Sequence, residues 1–368
     1  MSLAAPAATR LEQARALLDE LGLDALLVSR NANKRHLSGF VIARGDEATS
    51  GFSGTLLITR DRTLLLSDPR YLEQAGSEAP DWEVRRTRDR FAAEIGRLLA
   101  ELAIDRCGVE ALVLSHADWT SLADASSAEL VAIDAPLNAL RLHKDPTEID
   151  TLERAAALTD ACFAHLCDWL RPGVTERQVA WEMEGWFRDH GAETMAFDPI
   201  VLTGSRAAMP HGRPSNAAAT PGQPLLIDFG CQVDGYRTDV TRTVFIGEPS
   251  ARARELYAVV LAAQQAAYDA LRPGVSGTAV DAAAREVIAA AGYGEAFTHG
   301  LGHGIGLETH EAPMLLTYDQ PLAPGMVFTL EPGIYLPGEI GIRIEDDVVL
   351  AEAGARPLTQ APREVIVI

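Results

Sequence analysis

Leu170-Arg171-Pro172-Gly173-Val174 and Leu271-Arg272-Pro273-Gly274-Val275 are the same five residues, and the segments downstream of each copy decide how the chain folds. A helical stretch comes next in both places. Further on, Pro221-Gly222 leads into an apolar run, Pro224-Leu225-Leu226-Ile227, that ends on Asp228. In the same way Pro324-Gly325 leads into Val327-Phe328-Thr329-Leu330, which ends on Glu331. Both acids have a glycine two positions on, Gly230 and Gly333. Tyr236-Arg237-Thr238-Asp239 then matches Ile342-Arg343-Ile344-Glu345, with an arginine two residues before an acid in each. Four features in one order make an internal duplication. Two copies related by a pseudo-twofold axis bring four carboxylates from equivalent places to one centre.

An ionised carboxylate at the end of a buried strand is costly unless it is paired or bound to metal. Any one of these acids alone reads as half of an ion pair or as a strand end in water; four at repeat-related positions read as a shared site. Beside them runs Thr298-His299-Gly300-Leu301-Gly302-His303-Gly304-Ile305-Gly306, with His310 a little beyond, so three of the nine histidines lie between residues 299 and 310. The glycines argue against a helix, and the pattern is not the HExxH of the zincins. Four carboxylates and a histidine form an oxygen-rich donor set suited to Mn²⁺, Co²⁺, Fe²⁺ or Zn²⁺. They suit a pair of ions better than one, because bridging carboxylates balance the doubled charge. Two such ions, roughly 3.5–4 Å apart, hold a nucleophilic hydroxide and polarise a carbonyl.

The remainder of the chain is less specific. Its 368 residues are 47% hydrophobic, enough for two domains, and the formal net charge of -20 repels phosphate backbones and anionic lipid, so neither nucleic acid nor membrane is expected as a partner. Cys107, Cys162, Cys167 and Cys231 form no CxxC pair and read as isolated thiols in a reducing compartment. No signal peptide and no membrane span are read, and a cytoplasmic protein is expected. A helix from about Thr9 to Leu21, strands over Asp24–Ser29, Gly54–Thr59 and Thr63–Ser67, a helix over Phe91–Leu102 and a strand over Arg106–Glu110 predict an α/β layered first domain, without any concentration of acid and base groups. Lys144-Asp145-Pro146-Thr147-Glu148 is a helix start, with Asp145 as cap. The expected domains are 1–137 and 138–368. Trp181 and Trp186 are read as core residues of a helix.

The segments Ile227-Asp228-Phe229-Gly230, Asp234 to Thr243, Gly302 to Glu308, Thr329-Leu330-Glu331-Pro332-Gly333-Ile334-Tyr335 and Arg343-Ile344-Glu345-Asp346 resemble the signature of the pita-bread metallopeptidases, in particular the proline-specific branch of Xaa-Pro dipeptidases (prolidases) and Xaa-Pro aminopeptidases. The resemblance spans essentially the whole chain. Residues 1–137 are similar to the creatinase-type amino-terminal domain of that branch, including Lys34-Arg35-His36-Leu37-Ser38-Gly39-Phe40, where His36 stands in place of the usual tyrosine. An α/β (α+β) protein with a pita-bread catalytic domain is implied.

The resemblance also implies roles. Asp228, Asp239, His303, Glu331 and Glu345 would be metal ligands for two divalent ions, manganese first, with cobalt or zinc as alternatives. Asp239 and Glu345 would bridge. Glu331 would move the proton as general base and then acid. His211, His299 and His310 would contact substrate and the developing oxyanion. Arg343 would orient Glu345, and Tyr335 would lie near the substrate. The implied function is that of an Xaa-Pro dipeptidase acting on a small peptide with proline in second position, as a homodimer. An Xaa-Pro aminopeptidase acting on longer peptides is the alternative, and a non-catalytic peptide-binding module a remote one. The amino-terminal domain argues against methionine aminopeptidase, and the complete ligand set against metal-free creatinase. A dipeptidase must read the free carboxylate of proline, for which Lys34, Arg35 and Arg44 are the candidates.

Overall fold

Apolar runs too short for helices, and buried on both faces, become the central strands of the first sheet. Residues 4–42 and 51–368 are described in this computed structural model, and they divide after Arg141 into two units. The first contains α1 (Ala4–Leu21), β1 (Ala25–Val28), α2 (Asn31–Ser38), β2 (Thr55–Thr59), β3 (Thr63–Ser67), α3 (Leu72–Glu78), β4 (Glu83–Arg86), α4 (Phe91–Glu101), β5 (Arg106–Val109), α5 (His116–Ala125), β6 (Glu129–Ala132) and α6 (Asp134–Ala139). Its mixed sheet has the order β4-β3-β2-β1-β5-β6. The fully buried β1 and β2 are central, and helices cover both faces through separate apolar clusters.

The second unit shows the duplication in its backbone. α7 (Pro146–Trp169) and α8 (Glu176–Asp189) flank the first copy of the pentapeptide; α9 (Ala251–Ala270) and α10 (Gly277–Ala290) flank the second. Gly173 and Gly274 take φ of 86° and 89°, a region open to glycine, and their amides donate to Ala219 O and Leu322 O at 2.9 and 2.8 Å. Thr175 and Ser276 then cap α8 and α10. Even the later Pro-Gly pairs match, since Gly222 N donates to Ile246 O and Gly325 N to Leu350 O.

Each helix pair packs on its own sheet. The first sheet joins β8 (Ile200–Thr203), β9 (Pro224–Phe229), β12 (Val240–Phe245) and β20 (Ile366–Val367); β7 (Thr194–Met195), β10 (Cys231–Val233) and β11 (Tyr236–Arg237) make a small one beside it. The second joins β13 (His303–Gly304), β14 (Glu311–Met314), β15 (Val327–Leu330), β18 (Asp346–Ala351) and β19 (Gly354–Pro357), with β16 (Gly333–Leu336) and β17 (Ile340–Arg343) as a separate hairpin. One apolar core lies in each half.

The halves are stitched where the acids stand. Glu345 N donates to Thr241 O at 3.0 Å, and Asp239 N donates to Asp347 Oδ2 at 3.0 Å. Arg242, fully buried, pairs with Asp346 at 2.6 Å and donates to the carbonyls of Ala361 and Pro362, fastening the closing segment.

One expectation is corrected. Trp181 is 76% exposed rather than in the core. α8 buries Val179, Met183 and Phe187, one stripe four residues apart, and Trp181 falls on the opposite side of that helix. Trp186 stacks on His190 with ring centroids 3.9 Å apart. Among the described residues, no helix is long and apolar enough to cross a membrane.

Candidate metal centre

Strand ends deliver the five expected donors to one cavity of about 590 Å³ in the second unit. Asp228 is the penultimate residue of β9; Asp239 and Glu345 immediately precede β12 and β18; Glu331 comes directly after β15; His303 opens β13. One ligand atom each from Asp239, His303 and Glu345 lie within 4.8 Å of one another. His303 Nε2 stands 3.7 Å from Asp239 Oδ2 and 3.5 Å from Glu331 Oε1. Its Nδ1 meets the carbonyl of Gly304 at 3.1 Å; a carbonyl only accepts, so Nδ1 carries the proton and Nε2 turns its lone pair to the acids. Gly302 lets this strand approach: a Cβ there would lie 2.0 Å from Thr329 O.

Crowded carboxyls in a buried place hold their protons. Burial first, then the neighbouring acids, pushes Asp239 and Glu345 well above the ordinary carboxylate range. Burial raises Glu331 to about 8, against the pull of Arg343. Burial, with His310 adding to it, lowers His303 to about 3, so its imidazole is neutral, the form that binds metal. Asp228 Oδ1 is buried without a hydrogen-bond partner. Four acids that repel one another, a neutral imidazole facing them and an orphaned carboxylate oxygen make a donor set that fits divalent cations, whose charge removes the repulsion.

A second layer of side chains holds the donors. Arg343 donates to Asp228 Oδ2 at 2.5 Å, to Thr241 Oγ1 at 2.9 Å and to the Tyr335 hydroxyl at 2.8 Å. The Thr241 hydroxyl in turn donates a hydrogen bond to Glu345 Oε2 at 2.6 Å. The Tyr335 hydroxyl is 2.8 Å from His299 Nε2, while His299 Nδ1 meets Gly300 O at 2.8 Å, so both of that ring's nitrogens are engaged. His211, His299, His310 and Arg343 line the cavity with Phe197, Ile200, Met314 and Leu316; buried Tyr335 stands behind His299. Arg237, the repeat mate of Arg343, donates to Gln232 Oε1 and to Thr309 Oγ1 beside His310.

Sequence reasoning does not single out Thr241, Asp347 or Lys144. Thr241 and Asp347 stand two residues beyond Asp239 and Glu345, a spacing that keeps both on the strand face of the acid, and that period is the available signal. Lys144 forms a buried 2.7 Å ion pair with Glu311, next to His310, and carries no local sign of it. Of the cations suggested for the proline carboxylate, Lys34 is buried in the first unit with Nζ on Ser53 O at 3.1 Å, Arg35 is half-buried in α2, and Arg44 lies outside the described residues.

Known proteins resemble this chain over nearly its whole length. The profile of "Metallopeptidase family M24" matches residues 150–352, and that of "Creatinase/Prolidase N-terminal domain" matches residues 10–143. A protein named Xaa-Pro dipeptidase from Pyrococcus furiosus is 35% identical over 97% of this chain and 99% of its own. Among solved structures, an Xaa-Pro dipeptidase from Bacillus anthracis superposes with a TM-score of 0.92 at 37% identity, covering 98% of this chain and 100% of that one. An X-Pro aminopeptidase from Thermotoga maritima reaches 0.87 at 38% identity over the same shares. With its strand-end acids gathered on one histidine, the chain belongs to metallopeptidase family M24, and it carries that family's catalytic unit after a creatinase/prolidase-type amino-terminal domain.

Proposed function

We propose that this enzyme is an Xaa-Pro dipeptidase that uses two divalent metal ions. The observation that carries the reading is the gathering of Asp228, Asp239, His303, Glu331 and Glu345 in one cavity. Preference for proline rests on the named relatives. Asp239 and Glu345 would be the ligands shared by both ions, Asp228 would serve one ion, and His303 and Glu331 would serve the other. Bound there, the ions supply a Lewis acid and lower the pKa of water. Manganese is the first choice for this oxygen-rich set, with cobalt or zinc as alternatives.

The chain's own residues do the rest. Glu331, ionised once bound metal has displaced its proton, would take a proton from the attacking water and return it to the proline nitrogen as the C–N bond breaks. His310, which burial and the nearby His211 keep below its ordinary pKa, is neutral and donates to the developing oxyanion. His211 and His299 form the substrate-facing wall, with His299 held by Tyr335 and Arg343. Cytoplasmic operation fits four unpaired cysteines. A homodimer completes the proposal, resting on the resemblance alone.

An Xaa-Pro aminopeptidase is the second reading, favoured by the Thermotoga maritima relative at 38% identity. The deciding measurement gives metal-stripped protein Mn²⁺, Co²⁺ or Zn²⁺ and compares Ala-Pro with Ala-Pro-Ala. Cleavage of the dipeptide alone supports the first reading, preference for the tripeptide supports the second, and cleavage of neither with metal bound removes both.

A further inference from the structure

The dipeptidase reading leaves one recognition task unassigned, namely the free carboxylate at the far end of the substrate. Two of the described residues lining the cavity are permanently cationic, Arg213 and Arg343. Arg343 is committed: its side chain is 4% exposed, and Asp228, Thr241 and Tyr335 take its donors. Arg213 is placed otherwise. Its side chain is 69% exposed at the cavity mouth and pairs with Asp198, itself 70% exposed, at 3.0 Å.

The backbone beneath Arg213 is firmly held. Arg206 donates to Arg213 O at 2.8 Å and, through Nε, to Glu176 at 2.9 Å. The Glu176 carboxylate, with no exposed side-chain surface, also accepts from Ser215 N at 2.7 Å, Ser215 Oγ at 2.6 Å and Thr203 N at 2.9 Å. The segment carrying both His211 and Arg213 therefore hangs from one buried carboxylate. A guanidinium on a fixed root, joined to its partner only by an exposed pair of the weak kind, can exchange that partner at little cost. Its planar fork suits another carboxylate equally well.

We propose that Arg213 reads the free carboxylate of the substrate's proline, exchanging Asp198 for it, and that this pair sets the preference for dipeptides over peptides whose carboxylate is blocked or extended. The proposal rests on the dipeptidase reading and assigns the specificity of that same cavity.

The test uses the Mn²⁺-loaded full chain and two substrates, Ala-Pro and Ala-Pro amide, with Arg213→Met, Arg213→Lys and Asp198→Asn. Arg213→Met should lower the acid-to-amide ratio of kcat/KM about tenfold, mainly through KM for the acid, which is the loss of one charge-assisted contact. Lysine should restore part of the ratio. Removing the competitor with Asp198→Asn should raise it, and added salt should shrink every difference. A ratio left unchanged by Arg213→Met and by Asp198→Asn overturns this assignment while leaving the dipeptidase reading intact. A wild-type enzyme that cleaves neither substrate removes the dipeptidase reading, and this inference falls with it.

Discussion

The two halves of the catalytic unit share a backbone plan and carry different equipment. In each, a pentapeptide turn joins two helices, a Pro-Gly turn starts a strand, and the strand ends on an acid. The first half delivers Asp228 and Asp239, the second Glu331 and Glu345. Of the described cavity histidines, only His211 comes from the first half; His299, His303 and His310 come from the second. The two arginines diverge further, with Arg343 inside the acid cluster and Arg237 turned to the loop beside His310. A duplicated scaffold thus settles where carboxylates arrive, while the loops that differ between the copies settle what surrounds them.

The sharpest way to break this comparison is to remove one acid from each half. Asp239→Ala and Glu345→Ala should each lower kcat by roughly a thousandfold or more, as expected when a two-ion site loses a shared ligand, and each should reduce bound metal on elemental analysis. A variant keeping full turnover with tightly bound metal would overturn the bridging assignment.

Next in size is the contrast between the arginines. Arg343→Gln should lower kcat/KM by about 10–100-fold, the usual scale for losing a group that orients metal ligands. Arg237→Gln, which loses hydrogen bonds to Gln232 and Thr309, should cost only a few-fold by the same logic. Equal losses would mean that the arginines remain functional equivalents.

The supports that cross between the halves offer a smaller contrast. Thr241→Val removes the proton donated to Glu345, and Asp347→Ala removes the acceptor of Asp239 N–H. Each should weaken metal binding by about tenfold, the lower end for outer partners of a metal site. Titration with Mn²⁺ monitored by calorimetry measures it, and an effect in one variant alone would show that only one half leans on the other.

The smallest effect is a pH trend in the metal-free protein. Glu331 is raised from 4.5 to about 8 on folding, so the folded chain binds a proton more tightly than the unfolded chain. That contribution to stability is complete below the ordinary carboxylate value and is lost as pH rises through the folded value. His303, lowered from 6.5 to about 3, acts in the opposite sense below 6.5. Between pH 6.5 and about 8 the Tm of metal-free protein should therefore fall, while metal-loaded protein should change less, since the ions displace the same protons. Parallel curves would argue that the acids do not bind metal.

Much of this is legible in the sequence because the acids occur where local rules speak plainly. Asp145 caps α7 through Thr147 N and Glu148 N, as the dipeptide with Pro146 suggests. Asp228 and Glu331 end apolar runs that do become β9 and β15. The features that escape such a reading depend on closure of the chain: Lys144 meets Glu311 across 167 residues, and no pattern near either residue marks the other. Trp181 misleads for another reason, since an aromatic in a helix suits core and surface until the neighbouring stripe is weighed. Arg213 escapes because its availability depends on the weakness of its pair with Asp198, and only the folded chain shows which arginines are already committed.

The crossed bonds between Asp239 and Asp347 and between Thr241 and Glu345 have a consequence for synthesis. When the first half leaves the ribosome, its two aspartates have neither the acids of the second half nor Asp347 and Arg343 beside them. Translation has to pass Glu345 before the proposed ligand set exists at all, and Asp347 before the crossed bonds can close. Loading with metal would then be an event in the life of the finished chain, because the site that binds the ions is assembled only by folding across both halves.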